Sequence, residues 1–188
     1  MRRLPVLLVL VMLSLPPVAQ ATSVRADAAA TSYTLQTSGG AVARIGAFQP
    51  RRDPSIAAAQ RVFGQASSRK LIDNDSCQVD WGRLRLRIYF SNFGLAPAGQ
   101  TTCSPRVGRA QSFSLRGRRF RTWEGLRVGQ RSQMIEQRHS SAEFVDGSWW
   151  LRRATSPFGD ESDYAVVRAI TSNGRVSAIA GWIGAAGE

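Results

Sequence analysis

The stretch SCQVDWGRLRLRIYF, residues 76–90, alternates apolar and polar side chains on both sides of a glycine. This alternation is typical of two β-strands that each bury one face. The dipeptide Gly82-Arg83 fits the two-residue link of a β-hairpin. Such a link predicts three buried cross-strand pairs: Trp81 with Leu84, Val79 with Leu86, and Cys77 with Ile88. On the solvent-exposed face it predicts Asp80 opposite Arg85 and Gln78 opposite Arg87. We expect these contacts to have a structural role.

The first residues of the chain predict export. Residues 1–3 are basic at two positions, residues 4–15 form an apolar run, and a small Ala-Gln-Ala site ends at Ala21. This order is typical of a secretory signal peptide, and the run is shorter than the roughly 20 apolar residues of a membrane span. We therefore expect a signal peptide over 1–21, cleaved after about Ala21, and a flexible leader over 22–32. No later segment is apolar enough to predict a membrane span.

Two cysteines, Cys77 and Cys103, remain in the chain expected outside the cell. An even number of cysteines in an oxidising compartment predicts a disulfide bond. In the chain-entropy model a loop of this size stabilises the fold by roughly 3–4 kcal/mol. A zinc site is not expected, because two distant cysteines and the single histidine cannot fill a tetrahedral shell without carboxylates.

Local signals predict a helix and two strands before residue 76. The segments YTLQT and AVARIGAF, within residues 33–48, have strand-like composition. Asp53 is suited to cap a helix and Pro54 to occupy its first turn, while Gly64 supplies a stop. These signals predict a short amphipathic helix over about 54–63.

Later segments predict two hairpins, a helix and a strand. Residues 91–109 form a Gly/Pro/Ser-rich loop, and SFSLRGRRFRTW, residues 112–123, suggests a hairpin that turns near Gly117. A helix capped by Ser132 and ending at His139 follows, and then a strand, SWWLRR. The final segment predicts a hairpin on Asn173-Gly174. Its inward face stays open, because Val166/Ile170 and Val167/Ala169 both qualify.

The two halves of the chain share one order of features. Each has an apolar approach with glycine, a short helix, a loop and strands that lead into a hairpin. The spacing of roughly 80 residues predicts a duplication on the scale of a domain. We therefore expect an α+β fold in which two helix-plus-antiparallel-hairpin units form one compact body with one disulfide. The first unit covers residues 33–122 and the second covers residues 123–188.

The phrase GLRVG, residues 125–129, followed by MIEQRH and strands, carries a resemblance to known families. Together with the order of segments over about 42–186, it resembles uncharacterised secreted proteins of actinobacterial type. It is also similar to the SmpA/OmlA (BamE-type) envelope proteins and the tandem-repeat beta-lactamase inhibitory proteins. The resemblance implies a helix-on-antiparallel-sheet architecture and no catalytic residues. The chain departs from it where Gln130 and Arg131 replace the usual cap and where the second half lacks a disulfide.

The chain is strongly basic, with a formal net charge of +12. Such a charge can indicate a polyanionic partner. Lys70 is the one lysine among 25 Lys and Arg residues, a bias that GC-rich coding also produces, so a solvated basic surface is the simpler interpretation. Nucleic acid is not expected as a partner outside the cell.

Signatures of catalysis and cofactor binding are missing from the sequence. His139 is the single histidine, no Gly-x-Ser-x-Gly phrase marks a nucleophile, and no phosphate-binding or dinucleotide phrase occurs. His139 should close its helix, where the dipole favours the charged imidazole. We expect no catalytic residue, no metal site and no cofactor. The acidic groups at 73–75 and 160–163 are expected to be solvated turns.

The adjacent Trp149 and Trp150 carry the functional hypothesis. Neighbouring residues of a strand point to opposite faces, so one ring can enter the core while the other is covered or meets a partner. Tryptophan beside Arg152 is typical of binding hot spots. We therefore predict a secreted, non-enzymatic protein-binding module, of the inhibitor or envelope-assembly kind, with an extracellular protein as partner. The alternative is a binder of anionic cell-envelope polymers through two arginine rows, and a third hypothesis is an extracellular hydrolase. The rows are Arg83, Arg85 and Arg87, and Arg116, Arg118, Arg119 and Arg121.

Overall fold

The alternating segments form strands, and the chain is mostly β. The computed structural model describes residues 31–155 and 162–184. The predicted signal peptide, nearly all of the predicted leader, and residues 160 and 161 of the acidic 160–163 group lie outside the described residues. The elements of the first half are β1 (Tyr33–Ser38), β2 (Ala41–Ile45), α1 (Ile56–Phe63), β3 (Ser68–Asp73), β4 (Ser76–Trp81), β5 (Leu86–Ser91) and β6 (Arg109–Leu115). Those that follow are β7 (Phe120–Arg121), α2 (Met134–Arg138), β8 (Glu143–Val145), β9 (Ser148–Thr155), β10 (Asp163–Ser172) and β11 (Arg175–Trp182).

Eight of these strands form one antiparallel sheet in the order β3-β4-β5-β6-β11-β10-β9-β8. The remaining strands form a small mixed sheet, β2-β1-β7, in which β1 and β7 run parallel. The predicted α+β class therefore holds only in a coarser form, because the two helices span eight and five residues. Strands dominate since most segments alternate with a period of two residues.

The core lies against one face of the eight-stranded sheet. A row of directly opposed residues on that face runs across seven strands: Trp81, Leu86, Leu115, Ile179, Ala169, Trp149 and Phe144. The helix α1 and the small sheet pack over one end of this row, where Phe63 contacts both Trp81 and Tyr33. Phe48 and Phe120 complete this aromatic group. The opposite face of the sheet carries polar residues, small residues and a few aromatic rings.

The hairpin of residues 76–90 forms with a longer link than predicted. Gly82–Leu84 make a 3-10 turn and Arg85 adopts a left-handed conformation with φ 52°. The link therefore has four residues, and Trp81 lies opposite Leu86 where the sequence predicted Leu84. Leu84 instead turns inward and is 7% exposed. Because the register moves by two residues, every side chain keeps its predicted face.

The predicted disulfide is confirmed. Cys77 in β4 is bonded to Cys103 across a sequence separation of 26, with the two Cα atoms 5.2 Å apart. Cys77 is fully buried. The bond fixes the irregular segment between β5 and β6 against α1 and the first strands of the sheet.

Both predicted N-terminal helix caps are wrong. The helix α1 begins at Ile56, and Ser55 caps it by accepting a hydrogen bond from the N–H of Ala58 at 3.1 Å. Asp53 instead accepts hydrogen bonds from the hydroxyl and the N–H of Ser55. Gly64 ends the helix as predicted. The helix α2 is only one turn long, and its N-cap, Gln133, makes no side-chain capping bond where Ser132 was expected.

The segment SFSLRGRRFRTW does not form a hairpin. Its first strand, β6, pairs with β5 and β11, whereas β7 pairs in parallel with β1 in the small sheet. The chain leaves the large sheet at Gly117, where a Cβ atom would lie 2.0 Å from the carbonyl oxygen of Leu84. This close approach to the β4–β5 link carries the chain across to the other layer.

The final hairpin is confirmed, and two edge strands were not predicted. Asn173 and Gly174 both have positive φ, 51° and 69°, as a type I′ turn requires. Val166, Val167 and Ala169 are all buried while Ile170 is half-buried, and the β9–β10 ladder is irregular beside Val167. The inward face is therefore not a simple choice between alternate residues. The unpredicted strands are the sheet edges β3 and β8.

Candidate functional site

The face of the eight-stranded sheet opposite the core carries a polar and aromatic row across all eight strands. Its directly opposed residues, in sheet order, are Ser68, Asp80, Arg87, Ser114, Ala180, Arg168, Trp150 and Glu143. Directly opposed residues share a face, so Arg87 and Trp150 lie on the same side of the sheet. Four strand spacings separate them, about 19 Å. We call this side the open face.

A second row runs parallel to the first on the open face. It consists of Lys70, Gln78, Tyr89, Ser112 and Trp182. Tyr89 and Trp182 stand two strand spacings apart, about 10 Å, on either side of the small Ser112. Trp182 is 42% exposed. The middle of the open face is therefore shallow, with aromatic rings and guanidinium groups around small residues.

Trp149 and Trp150 point to opposite sides of β9. Trp149 packs against the hydrophobic core and against the ring of Phe144, with centroids 5.4 Å apart. Trp150 lies on the open face between Glu143 and Arg168, its partners on the neighbouring strands, and is half-buried. Both rings are half-buried, but of the two only Trp150 lies on the open face.

Three arginines line a cavity of about 240 Å³ at the β4–β6 end of the open face. They are Arg85, Arg87 and Arg116, and Asp80, Tyr89 and Ser114 line the same cavity. Two of these arginines, Arg85 and Arg87, are in the predicted first row. Arg116 comes from the predicted second row, and it reaches the cavity because β5 and β6 are neighbours in the sheet.

Backbone geometry sets Arg85 and Arg116 side by side. Arg85 has a positive φ of 52°, a conformation that is uncommon for residues other than glycine. Its carbonyl oxygen accepts a hydrogen bond from the N–H of Arg116 at 2.9 Å. Neither guanidinium has an ion-pair partner among the described residues, so both are available to an anion.

Asp80 is the acidic residue of the cavity, and its carboxylate is already bonded. Oδ1 accepts from Nε of Arg87 at 2.7 Å, and Oδ2 accepts from Nε2 of Gln78 at 2.7 Å. Partial burial alone would raise the pKa of Asp80, but the hydrogen bonds from Arg87 and Gln78 outweigh it and hold the pKa below 3.8. Asp80 is therefore an anion that orients Arg87.

The other predicted arginines are dispersed. Arg83 lies on the 3-10 turn outside the cavity lining, and Arg152 is exposed on β9, two residues beyond Trp150. Arg121 belongs to the small sheet, where its Nε donates to the hydroxyl of Thr34. Arg118 lies beside Gly129 and Arg119 precedes β7. The two predicted rows therefore do not form one surface.

Sequence reasoning missed three residues of the open face: Tyr89, Arg168 and Trp182. Each belongs to a strand that was correctly predicted, and Tyr89 and Arg168 each lie between two buried neighbours. The missing information was the order of the strands. Only the β6–β11 pairing brings the two halves of the chain onto one face.

His139, the residue that follows α2, lies in a polar cluster with Thr122 and Glu124. Its Nε2 is 2.8 Å from Oγ1 of Thr122, and its Nδ1 is 3.1 Å from Oε2 of Glu124. The Thr122 hydroxyl also accepts from the N–H of Leu126 at 3.1 Å. A neutral imidazole that donates from Nδ1 and accepts at Nε2 satisfies all of these contacts. This tautomer is assigned from the hydrogen-bond pattern.

The order carboxylate, imidazole and hydroxyl is also the order of a catalytic triad. Here Thr122 is 0% exposed and His139 is 2% exposed, so a substrate cannot reach the hydroxyl. Burial lowers the pKa of His139 below 6.5, although Glu124 acts in the opposite direction. The expected preference for the charged imidazole at the helix end is therefore wrong. Desolvation of the buried ring outweighs the nearby charge of Glu124.

Metal-ligating side chains do not gather in threes or more within residues 31–155 and 162–184. Across the same ranges, no helix is both long and apolar enough to cross a membrane. Comparisons with protein-family models, curated proteins and solved structures returned no match.

Proposed function

We propose that this protein is a secreted, non-enzymatic binding protein whose open face contacts an extracellular protein. The observation that carries the proposal is the cross-strand row in which Arg87, Arg168 and Trp150 share one sheet face. Tryptophan, tyrosine and arginine are the residue types that dominate binding hot spots. Export, predicted from residues 1–21, would place this face outside the cell.

Charge indicates the chemistry of the partner. The acids of the row, Asp80 and Glu143, are already paired with Arg87 and Arg153. Arg168 has no ion-pair partner among the described residues. The open face therefore presents uncompensated positive charge around its aromatic rings, and it suits a partner surface that is acidic at its rim and apolar at its centre.

We also propose that the fold contains two related units. The helix α1 is followed by four strands, β3 to β6, and α2 is followed by four strands, β8 to β11. The last strands of the two sets, β6 and β11, pair antiparallel at the middle of the sheet. A local two-fold relation between two helix-plus-strand units would have this arrangement, and it is compatible with the resemblance to tandem-repeat inhibitory proteins.

The proposal is tested by capture of a partner from the organism's own culture supernatant and envelope fraction. We expect Trp150→Ala and Trp182→Ala each to weaken capture by at least about tenfold, because both rings stand on the open face. Phe93→Ala is the matched control, since Phe93 is 56% exposed in the loop after β5. All three variants should keep the unfolding temperature of the parent. If both open-face variants still capture the same protein, the proposal is wrong.

A second candidate is binding of an anionic cell-envelope polymer, and the cavity is the observation that favours it. Arg85 and Arg116 have no ion-pair partner there, and arginine recognises carboxylate and phosphate groups bidentately. The double variant Arg85→Ala/Arg116→Ala should elute from heparin or from purified cell walls at lower salt than Arg52→Ala/Arg106→Ala. The control pair is exposed and lies outside the cavity. Retention that survives high salt would exclude an electrostatic mechanism.

A further inference from the structure

The strand β3, Ser68–Asp73, is one edge of the eight-stranded sheet, and all six of its side chains are exposed. Two of them are large and apolar, Leu71 at 43% and Ile72 at 51% exposure. In the part of the chain that the structure describes, no strand pairs with the outer side of β3. An apolar edge with unpaired backbone groups is a template for another strand.

The charges of β3 are ordered along its length. Arg69 and Lys70 lie at the start, Leu71 and Ile72 at the centre, and Asp73 at the end. When two copies of such a strand run antiparallel, the cationic start of each meets the acidic end of the other. A parallel arrangement would instead place like charges together, which is destabilising.

We propose that β3 pairs antiparallel with β3 of a second copy of this chain, around a two-fold axis near Leu71. In an antiparallel pair, two opposed residues form either two backbone hydrogen bonds with each other or none. The two strands can therefore shift against each other only by two residues at a time. A pair centred on Leu71 places Arg69 directly opposite Asp73 of the second copy and Lys70 opposite Ile72. A pair centred on Lys70 would oppose two lysines.

Contacts within one copy leave this edge available. Nη2 of Arg69 donates to Oε1 of Gln60 at 2.7 Å and Nη1 donates to the carbonyl of Cys103 at 3.4 Å. These bonds hold the guanidinium beside the strand and use two of its five N–H donors. Lys70 has no ion-pair partner among the described residues. The ladder between β3 and β4 is regular from Ser68 to Leu71 and shifts before Asp73, so Leu71, the proposed centre, is the last residue of the regular part.

Charged residues on an edge strand also commonly protect a protein against aggregation. The order of the charges along β3 distinguishes this protective role from pairing with a second copy. A protective strand repels a second copy in every register, whereas β3 is self-complementary in one. The pairing does not depend on the proposed protein-binding function, because β3 is the margin of the sheet and both tryptophans of the open face lie on other strands.

The test is sedimentation equilibrium of the purified protein from micromolar to millimolar concentration. We expect a monomer–dimer equilibrium that Arg69→Asp or Asp73→Arg each weakens by about tenfold, because each change opposes like charges twice across the two-fold axis. The double variant Arg69→Asp/Asp73→Arg should restore the parent equilibrium. Arg52→Asp, an equal charge change at an exposed site outside β3, should leave it unaltered.

Hydrogen exchange of the β3 amides that point away from β4 supplies a second readout. The protection of these amides should rise with protein concentration in the parent and in the double variant. It should not rise in either single variant. A parent that stays monomeric at millimolar concentration overturns the proposal, as does a dimer that is insensitive to both single changes. Concentration-independent protection would also overturn it, because another segment of the same chain would then cover the edge.

Discussion

Asp80 and Arg87 face each other across β4 and β5, with the carboxylate Oδ1 2.7 Å from Nε of the guanidinium. The sequence predicted Asp80 opposite Arg85, two residues earlier. The difference arises because Leu84 enters the core and the link grows to four residues. Arg85 is thereby released from the ladder and lines the cavity with Arg87.

Replacement of Asp80 should have opposite effects on stability and on anion binding. Both side chains of the pair are partly exposed, 24% for Asp80 and 44% for Arg87, so Asp80→Asn should cost no more than about 1 kcal/mol of unfolding free energy. Heparin affinity should rise, because the cavity loses its acidic group. Denaturant titration and salt elution measure the two effects. Asp146→Asn is the control, since Asp146 lies in the exposed β8–β9 turn; equal gains in both variants would contradict a role for the cavity.

His139 should make stability depend on pH. Burial lowers the pKa of the folded imidazole below 6.5, so the unfolded chain takes up the proton first as pH falls. The stability from the neutral imidazole is fully present above about pH 6.5 and is lost as pH falls through the folded pKa. Chemical unfolding at a series of pH values measures this slope. In His139→Gln the slope below pH 6.5 should flatten, and an unaltered slope would mean that another group is responsible.

The cap of α1 gives a prediction that separates Ser55 from Asp53. Ser55→Ala removes the oxygen that accepts from the N–H of Ala58 and should lower the unfolding free energy by about 1 kcal/mol. Asp53→Asn keeps an oxygen that can accept from the Ser55 hydroxyl, so its effect should be smaller. Thermal unfolding measures the two effects, and a Ser55→Ala variant as stable as the parent would contradict the role of Ser55 as the cap.

Gly117 should tolerate no side chain. A Cβ atom there would meet the carbonyl oxygen of Leu84 at 2.0 Å, and this neighbour is backbone that cannot rotate away. Gly117→Ala should therefore destabilise the protein by more than about 2 kcal/mol or prevent folding. Gly174→Ala is the comparison, because that site has a positive φ but open space around it. A smaller loss at Gly117 than at Gly174 would contradict the effect of the close approach, because the φ of Gly117 is not positive.

Elements with strong local signals were predictable from the sequence. The alternation in residues 76–90 identifies the buried residues correctly even though the register is wrong, because a shift of two residues preserves the faces of a strand. Asn173-Gly174 predicts its turn through a backbone preference that needs no tertiary context. The strand β3 has no buried residue and therefore no alternation to detect.

Prediction of the candidate site was limited by the order of the strands. The sequence predicted Trp150 and Arg87 as two separate candidates for partner binding, and nothing in their local sequence places them on one face. The hairpin predicted at Gly117 would have kept β6 and β7 together, and this would have hidden the β6–β11 pairing. The burial of His139 was also unpredictable. The free-energy cost of burying the imidazole depends on its contacts with Thr122 and Glu124, which belong to a different segment of the chain.

By itself, the sequence determined the strand segments other than β3 and β8, the disulfide bond, the final turn and the buried side of the central hairpin. Each of these depends on neighbouring residues or on chemical type. Only the tertiary structure decided that β6 and β11 meet, that Arg85 and Arg116 share a cavity, and that Trp150 faces outward while Trp149 packs inward. The physical reason is that alternation gives the relative face of residues within one strand. The absolute face and the neighbours across the sheet depend on which strands pair, a choice made by packing across the whole core.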